Sequence, residues 1–289
     1  MYTVEYSRKE PPGRLFHYTS AVALESIVRE RHLWATDIRF LNDSTELRLG
    51  IERLRSRFDA LPMGEPDGYL DDDQNAPFWD GSVGQVVRSH LAEMDSTFRS
   101  YVSCFCGTDD LLSQWRGYTA EFGYSIGFDS LALGAVEPHI DDFDSPNGAV
   151  LAQARYDQAE FDEILDRWAK QIHEWRAGHP GTKGWSAMWW MMHLLASIKD
   201  SSFVEENEWR LVLTKSAHNL PDDTELRFRA SRLGLVPFVR LPFEAAAVKT
   251  VRVGPGPNPE LRAHGLRDLL DRLGFGHVEV YVSSVPYRP

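Results

Sequence analysis

Cysteine is scarce: Cys104 and Cys106 are the only two in 289 residues. On a strand they share one face two residues apart, which is poor geometry for a disulfide. A disulfide-stapled scaffold is thereby excluded, and a reduced, cytoplasmic protein is expected. No cysteine or histidine spacing fits a zinc site, and no metal is expected. Long apolar runs are missing as well. The richest stretch, Trp185 to Ile198, is interrupted by Ser186, His193 and Ser197 and is too short to span a bilayer. Met1-Tyr2-Thr3-Val4-Glu5 lacks the charged-then-apolar shape of a signal peptide. Basic excess is absent too. With 31 Lys and Arg against 43 Asp and Glu, the net charge is -12, which argues against general adhesion to nucleic acid or membrane. There is no G-x-S-x-G, no Walker A and no Rossmann fingerprint.

What is present suffices for a packed core: 43% of residues are hydrophobic and 12% aromatic. Leu15–Thr19 reads as a first strand, and Ser20 caps a helix with Leu24, Ile27 and Val28 on one stripe. Trp34-Ala35-Thr36 is a short extended piece. Asp43-Ser44-Thr45-Glu46 has the capping-box pattern and opens a helix through Leu47, Ile51, Leu54 and Phe58. Residues 62–82 read as an acidic surface loop, and a further amphipathic helix is expected over about 83–98. Strands are expected at 101–106 and 124–128, with a turn or short helix at 111–118 between them. Two long helical patterns, at about 149–175 and 185–200, form a central helical insertion. The chain then becomes strand-rich from Trp209, with a helix over about 258–273 and a last strand at 277–282. No repeat or linker divides it. The expected class is α+β, a single domain over residues 1–289.

Glu206-Asn207-Glu208-Trp209-Arg210 stands at the mouth of that strand-rich region. If the run is a strand, period-2 geometry puts Glu206 and Glu208 on one face, where two carboxylates repel and resist full ionisation. The pair is therefore a candidate for general acid–base work or for opposing positive charge on a sugar, set against the competing reading of a solvated corner. His17, beside Tyr18 and Thr19 at a strand end, is a candidate donor to a ligand hydroxyl or a satisfied core histidine. Ser113-Gln114-Trp115-Arg116-Gly117-Tyr118 packs amide, indole, guanidinium and phenol into six residues, suited to stacking on a flat ring and gripping phosphate, or to a packed turn. Gly254-Pro255-Gly256 reads as a turn, because prolines remove the donors that a phosphate cradle needs.

Taken in order, several motifs resemble a large, mainly bacterial family catalogued as domain of unknown function 2971. They are His17-Tyr18-Thr19-Ser20, Leu41-Asn42-Asp43 with Glu46, Ser113–Tyr118, Gly127-Phe128-Asp129, Glu206–Arg210, Val253-Gly254-Pro255 and Pro286-Tyr287-Arg288. A first strand bearing His-Tyr-Thr, a helix after it and a late Glu-x-Glu entering a strand also resemble the ADP-ribosyltransferase fold. That second likeness implies an ADP-ribosyltransferase-like mixed sheet core and NAD as substrate. By position it implies His17 as the ribose anchor, Glu208 as the catalytic carboxylate and Glu206 as the group that orients ribose or acceptor. It implies Tyr118 or Tyr124 as the ring stacked on nicotinamide, and Ser103 at a serine position where this chain reads Ser-Cys-Phe. Arg116 or Arg210 is then the candidate pyrophosphate ligand, with Arg210 alternatively neutralising the glutamates. The acceptor stays open: protein, nucleic acid or water. In bacteria such enzymes often serve as toxins or defence effectors. Two other expectations stand beside this one: a non-enzymatic nucleotide sensor or interaction module, and a metal-dependent nuclease built on Asp43, Glu46, Glu206 and Glu208.

Overall fold

Period-2 apolar runs dominate this chain, and they assemble into one large mixed sheet with helices packed on it. The computed structural model describes residues 11–41, 48, 50–54, 56, 98–119, 122–133, 149–166, 185–216, 226–231 and 233–286. The strands are β1 (Arg14–Thr19), β2 (His32–Asp37), β3 (Phe98–Cys106), β4 (Tyr124–Asp129), β5 (Val150–Gln153), β6 (Glu208–Ser216), β7 (Arg227–Ser231), β8 (Gly234–Pro242), β9 (Val248–Val253) and β10 (Glu279–Val282). The helices are α1 (Ala21–Glu30), α2 (Leu112–Tyr118), α3 (Trp185–Ala196) and α4 (Pro259–Arg272). Residues 158–166 are also helical. The α+β class is as expected. The segment from 149 differs from the expected helix: Val150-Leu151-Ala152-Gln153 is a strand paired antiparallel with β6, at Leu151 opposite Leu211. Four residues of mixed propensity suit either element, and the open edge of β6 decides. Asp43, Glu46, the 62–82 loop, the 83–97 segment, Tyr287 and Arg288 lie outside the described residues.

Strand order is β10-β9-β4-β1-β3-β2-β8-β7, with β6 and β5 added on β3. All pairings are antiparallel except β9 with β10, which α4 connects as a crossover. α1 starts at Ser20, whose hydroxyl accepts from the Ala23 amide at 3.3 Å. It buries Leu24, Ile27 and Val28 against Leu15, Ile126, Phe128 and Val251, and α4 adds Leu266 and Leu270 to the same core. Fully burying each such side chain is worth about 1.5–3 kcal/mol.

Strand β3 positions the site. β6 pairs with it along its whole length, from Phe98 opposite Ser216 to Cys106 opposite Glu208. β1 and β2 therefore share the other edge. β1 touches it only at Phe16 opposite Cys106, and β2 only at Thr36 and Asp37 opposite Val102 and Tyr101. Between those contacts Ser103, Cys104 and Phe105 have no strand partner on that edge. Side chains bridge the gap instead. His17 Nδ1 lies 2.9 Å from the Cys104 carbonyl oxygen, and Ser103 Oγ donates to the Trp34 carbonyl at 2.9 Å.

Candidate functional site

The gap in the sheet opens into a cavity of about 540 Å³. Its walls come from the end of β1 (His17, Tyr18, Thr19), from β2 (Trp34, Thr36), from the open edge of β3 (Ser103, Cys104), from α2 (Gln114, Tyr118) and from the start of β6 (Glu208, Arg210). Lys199, Phe203, Glu206 and Arg229 complete it. Nine of the twelve candidate residues thus line one cleft: His17, Tyr18, Thr19, Ser103, Gln114, Tyr118, Glu206, Glu208 and Arg210. Trp115, Arg116 and Tyr124 do not. Trp115 is buried behind the wall, edge-on to Tyr18 at 4.6 Å, with its indole nitrogen donating to Asp110 Oδ1 at 2.8 Å. Arg116 is exposed. Tyr124 sits under the Arg262 guanidinium, 5.4 Å from its centre.

The two glutamates meet, though not through strand alternation. Glu206 ends a 3-10 turn (Ser201–Glu206), Asn207 takes a left-handed conformation with φ 41°, and Glu208 is the first residue of β6. Asparagine is among the few residues that enter this region readily. The turn brings both carboxylates to one ammonium: Lys199 Nζ lies 2.5 Å from Glu206 Oε2 and also contacts Glu208 Oε2. Arg210 is almost wholly buried and closes on Glu208 from the other side, with Nε donating to Oε1 at 2.8 Å. Its Nη1 donates to the carbonyls of Ala196 and Ile198 at 2.8 and 3.3 Å, satisfying the C-terminal end of α3. Of the two roles expected for Arg210, neutralising the pair is the one its bonds fit.

These cations decide the ionisation. Burial alone would raise the Glu208 carboxyl, but Arg210 and Lys199 together hold it at about 2. Burial likewise opposes the Lys199 charge, and the Glu208 carboxylate overrides it, raising Lys199. The expected mutual repulsion of the carboxylates is thus cancelled by a lysine that the motif does not contain. The Glu208 amide is fixed as well, donating to Tyr156 Oη at 2.9 Å; burial pushes that phenol up to about 12. Glu206 is less enclosed. Its Oε2 holds Lys199, and its Oε1 has no hydrogen bond among the described residues.

His17 is neutral, because burial lowers its pKa. A carbonyl oxygen only accepts, so Nδ1 carries the proton and Nε2 is left as an acceptor. The expectation of a donor to a ligand hydroxyl is reversed: this imidazole accepts. The Tyr18 hydroxyl is spent on the backbone, donating to the Thr108 carbonyl at 2.8 Å and accepting from the Leu111 amide at 2.9 Å. It fixes the start of α2. Burial raises the Tyr118 phenol, so it stays protonated. Gln114 is buried, and its amide makes no hydrogen bond with a described residue. Among the described residues no group of three or more His, Cys, Asp or Glu could hold a metal.

Sequence reasoning missed Lys199, Arg229 and Trp34. Lys199 left one signal, a charged residue directly after the apolar run of α3 and seven positions before Glu206. Arg229 and Trp34 left none, because only the sheet brings them to the cleft.

Residues 114–211 match the model of a family described as protein of unknown function (DUF2971), the family the ordered motifs resemble. The matched span contains Gln114, Tyr118, Lys199, Glu206, Glu208 and Arg210, whereas His17 and Arg229 lie outside it. No curated protein and no solved structure matches the chain. Among the described residues, no helix is long and apolar enough to cross a membrane.

Proposed function

We propose that the cleft binds NAD and cleaves its nicotinamide glycosidic bond through an oxocarbenium-like transition state, as a transferase or glycohydrolase of ADP-ribosyltransferase-like architecture. The observation that carries this reading is the convergence of His17, Tyr118 and the Glu206–Glu208 pair on one cavity, whose volume of about 540 Å³ suits a nucleotide cofactor. Tyr118 is the stacking ring for nicotinamide, since Tyr124 lies outside the cleft wall. His17 Nε2 accepts from a ribose hydroxyl. In the reaction the bond from the anomeric carbon to the pyridinium nitrogen breaks, and its electron pair leaves with nicotinamide. The acceptor nucleophile, from a protein, a nucleic acid or water, then adds to the anomeric carbon and releases its proton to solvent.

The two glutamates divide the work. Glu208 is closed in by Arg210 and Lys199 and positions the ammonium. Glu206 presents its unpartnered Oε1 to the ribose and to the developing positive charge. A fixed carboxylate of this kind contributes on the order of 3 kcal/mol, or about 10²–10³ in rate. A role as a bacterial toxin or defence effector follows from the same likeness.

The test is nicotinamide release by purified protein. Glu206→Gln should lower kcat by about 10²–10³ with NAD affinity retained. A wild-type protein that neither binds nor consumes NAD refutes the reading. One observation favours a second reading, a nucleotide-binding module without chemistry: Glu208 is already matched by two cations and offers little net charge to a transition state. That reading predicts NAD binding with no nicotinamide released by wild type.

A further inference from the structure

Among the described residues five charged side chains line the cleft: Lys199, Arg210 and Arg229 against Glu206 and Glu208. Lys199 and Arg210 are occupied by the two carboxylates, and His17 is neutral. Among these described side chains one positive charge is left over, in a chain whose net charge is -12. It belongs to Arg229.

Arg229 sits on β7, opposite Val236 of β8, and reaches across β8 to β2 at the cleft wall. Its Nη2 donates to Thr36 Oγ1 at 3.1 Å. Its Nε is buried and has no partner. No carboxylate forms an ion pair with it among the described residues, and burial lowers its pKa with no opposing charge to offset the effect. Thr36 is in a related position. Its oxygen accepts from Arg229, and its own hydroxyl proton meets no acceptor among the described residues. The guanidinium and the Thr36 hydroxyl therefore stand side by side on the cleft wall, with no carboxylate against either among the described residues. Arg116 and Arg210, the arginines suggested by sequence, are respectively exposed and consumed by Glu208.

We propose that Arg229, with the Thr36 hydroxyl beside it, is the phosphate-recognising group of this cleft. The guanidinium offers a planar fork suited to two phosphate oxygens. A guanidinium without a carboxylate partner among the described residues favours an anion over a neutral ligand of the same size. The identification of that phosphate as the pyrophosphate of a dinucleotide rests on the NAD reading above; the phosphate site itself does not.

The experiment is calorimetric titration of wild type, Arg229→Met, Arg229→Lys and Thr36→Val with inorganic pyrophosphate, ADP-ribose, NAD and phosphate-free nicotinamide riboside. Arg229→Met should weaken pyrophosphate and ADP-ribose by about 30-fold or more, and Arg229→Lys by less. Nicotinamide riboside should change by less than about threefold. Urea denaturation separates a ligand role from a structural one: removing an uncompensated, half-buried cation should leave the midpoint unchanged or raise it. Equal affinity of wild type and Arg229→Met for ADP-ribose and pyrophosphate overturns the proposal. So does a wild type that binds neither, or a clear fall in the urea midpoint of Arg229→Met with riboside affinity lost in parallel. Arg229-dependent binding of pyrophosphate without NAD turnover sinks the proposed activity and leaves the phosphate site standing. NAD cleavage that is unaffected, in affinity and rate, by Arg229→Met does the reverse.

Discussion

Replacing Lys199 by methionine isolates the interaction on which the cleft's charge balance depends. The Lys199 side chain is 4% exposed and is shared by Glu206 and Glu208, which is itself 4% exposed. At an effective dielectric near 20, each contact of this kind is worth about 4 kcal/mol of attraction. Desolvating each ion costs several kcal/mol, so the cluster as a whole is close to neutral against an apolar replacement. Removing one member alone is different. Lys199→Met leaves Glu206 without its cation and Glu208 with Arg210 only. The expected loss is about 3 kcal/mol, the low end of the usual range for breaking a buried pair, because Arg210 stays. Glu208→Gln leaves Lys199 and Arg210 buried with one fewer opposing charge and should cost about 3–5 kcal/mol. In the double variant part of each loss is shared, giving a coupling of about 2 kcal/mol. Urea denaturation of wild type, both single variants and the double variant at pH 7 measures this directly. Single losses below about 1 kcal/mol, or additivity within about 0.5 kcal/mol, would refute the cluster as described.

Acid should act on the same cluster. The Glu208 carboxyl is lowered from 4.5 to about 2, so its contribution is fully present above pH 4.5 and fades as pH falls towards 2. The contribution is on the order of 3 kcal/mol, and urea midpoints between pH 5 and 2 should fall faster in wild type than in Glu208→Gln. Burial pushes the Cys106 thiol up to about 11, and the Cys104 thiol is also raised. At pH 8 Cys106 should alkylate about 100-fold more slowly in native protein than in urea, and Cys104 should be slowed as well; fast native labelling of Cys106 would contradict its burial. At Gly254 an added Cβ would lie 2.8 Å from the Trp115 ring and 2.9 Å from the Gly123 carbonyl oxygen. Gly254→Ala should destabilise by about 1–3 kcal/mol, read as a lower Tm together with a shifted Trp fluorescence maximum.

The sheet was legible where alternation was long. β1, β3, β4, β8 and β9 fall within a few residues of their apolar runs, and Ser20 caps α1 as its type suggests. β5 was not legible, because four residues carry little pattern and the partner edge of β6 decides their form. The site was legible as a set of residue types. His17, Gln114, Tyr118, Glu206 and Glu208 do meet, although they lie on four separate elements. Their ionisation was not legible. A pair of carboxylates two residues apart suggests repulsion, and although Arg210 was a visible candidate to neutralise it, the fold also supplies Lys199 from the preceding segment. Arg229 was hidden for the same reason: its meaning lies in the partners it lacks, which no local pattern encodes.

The break between β1 and β2 along β3 has a mechanical consequence. Two groups of strands share β3, and the connection between them is α1, a helix of ten residues, about 15 Å long. Along the gap the two groups are joined by two side-chain bonds, His17 to Cys104 and Ser103 to Trp34, and behind it by a shared core in which Phe128 meets Phe243 edge-on at 5.2 Å. Because α1 joins β1 to β2, an insertion or deletion within Ala21–Glu30 should resize the cleft without altering any residue that lines it from β3 or β6.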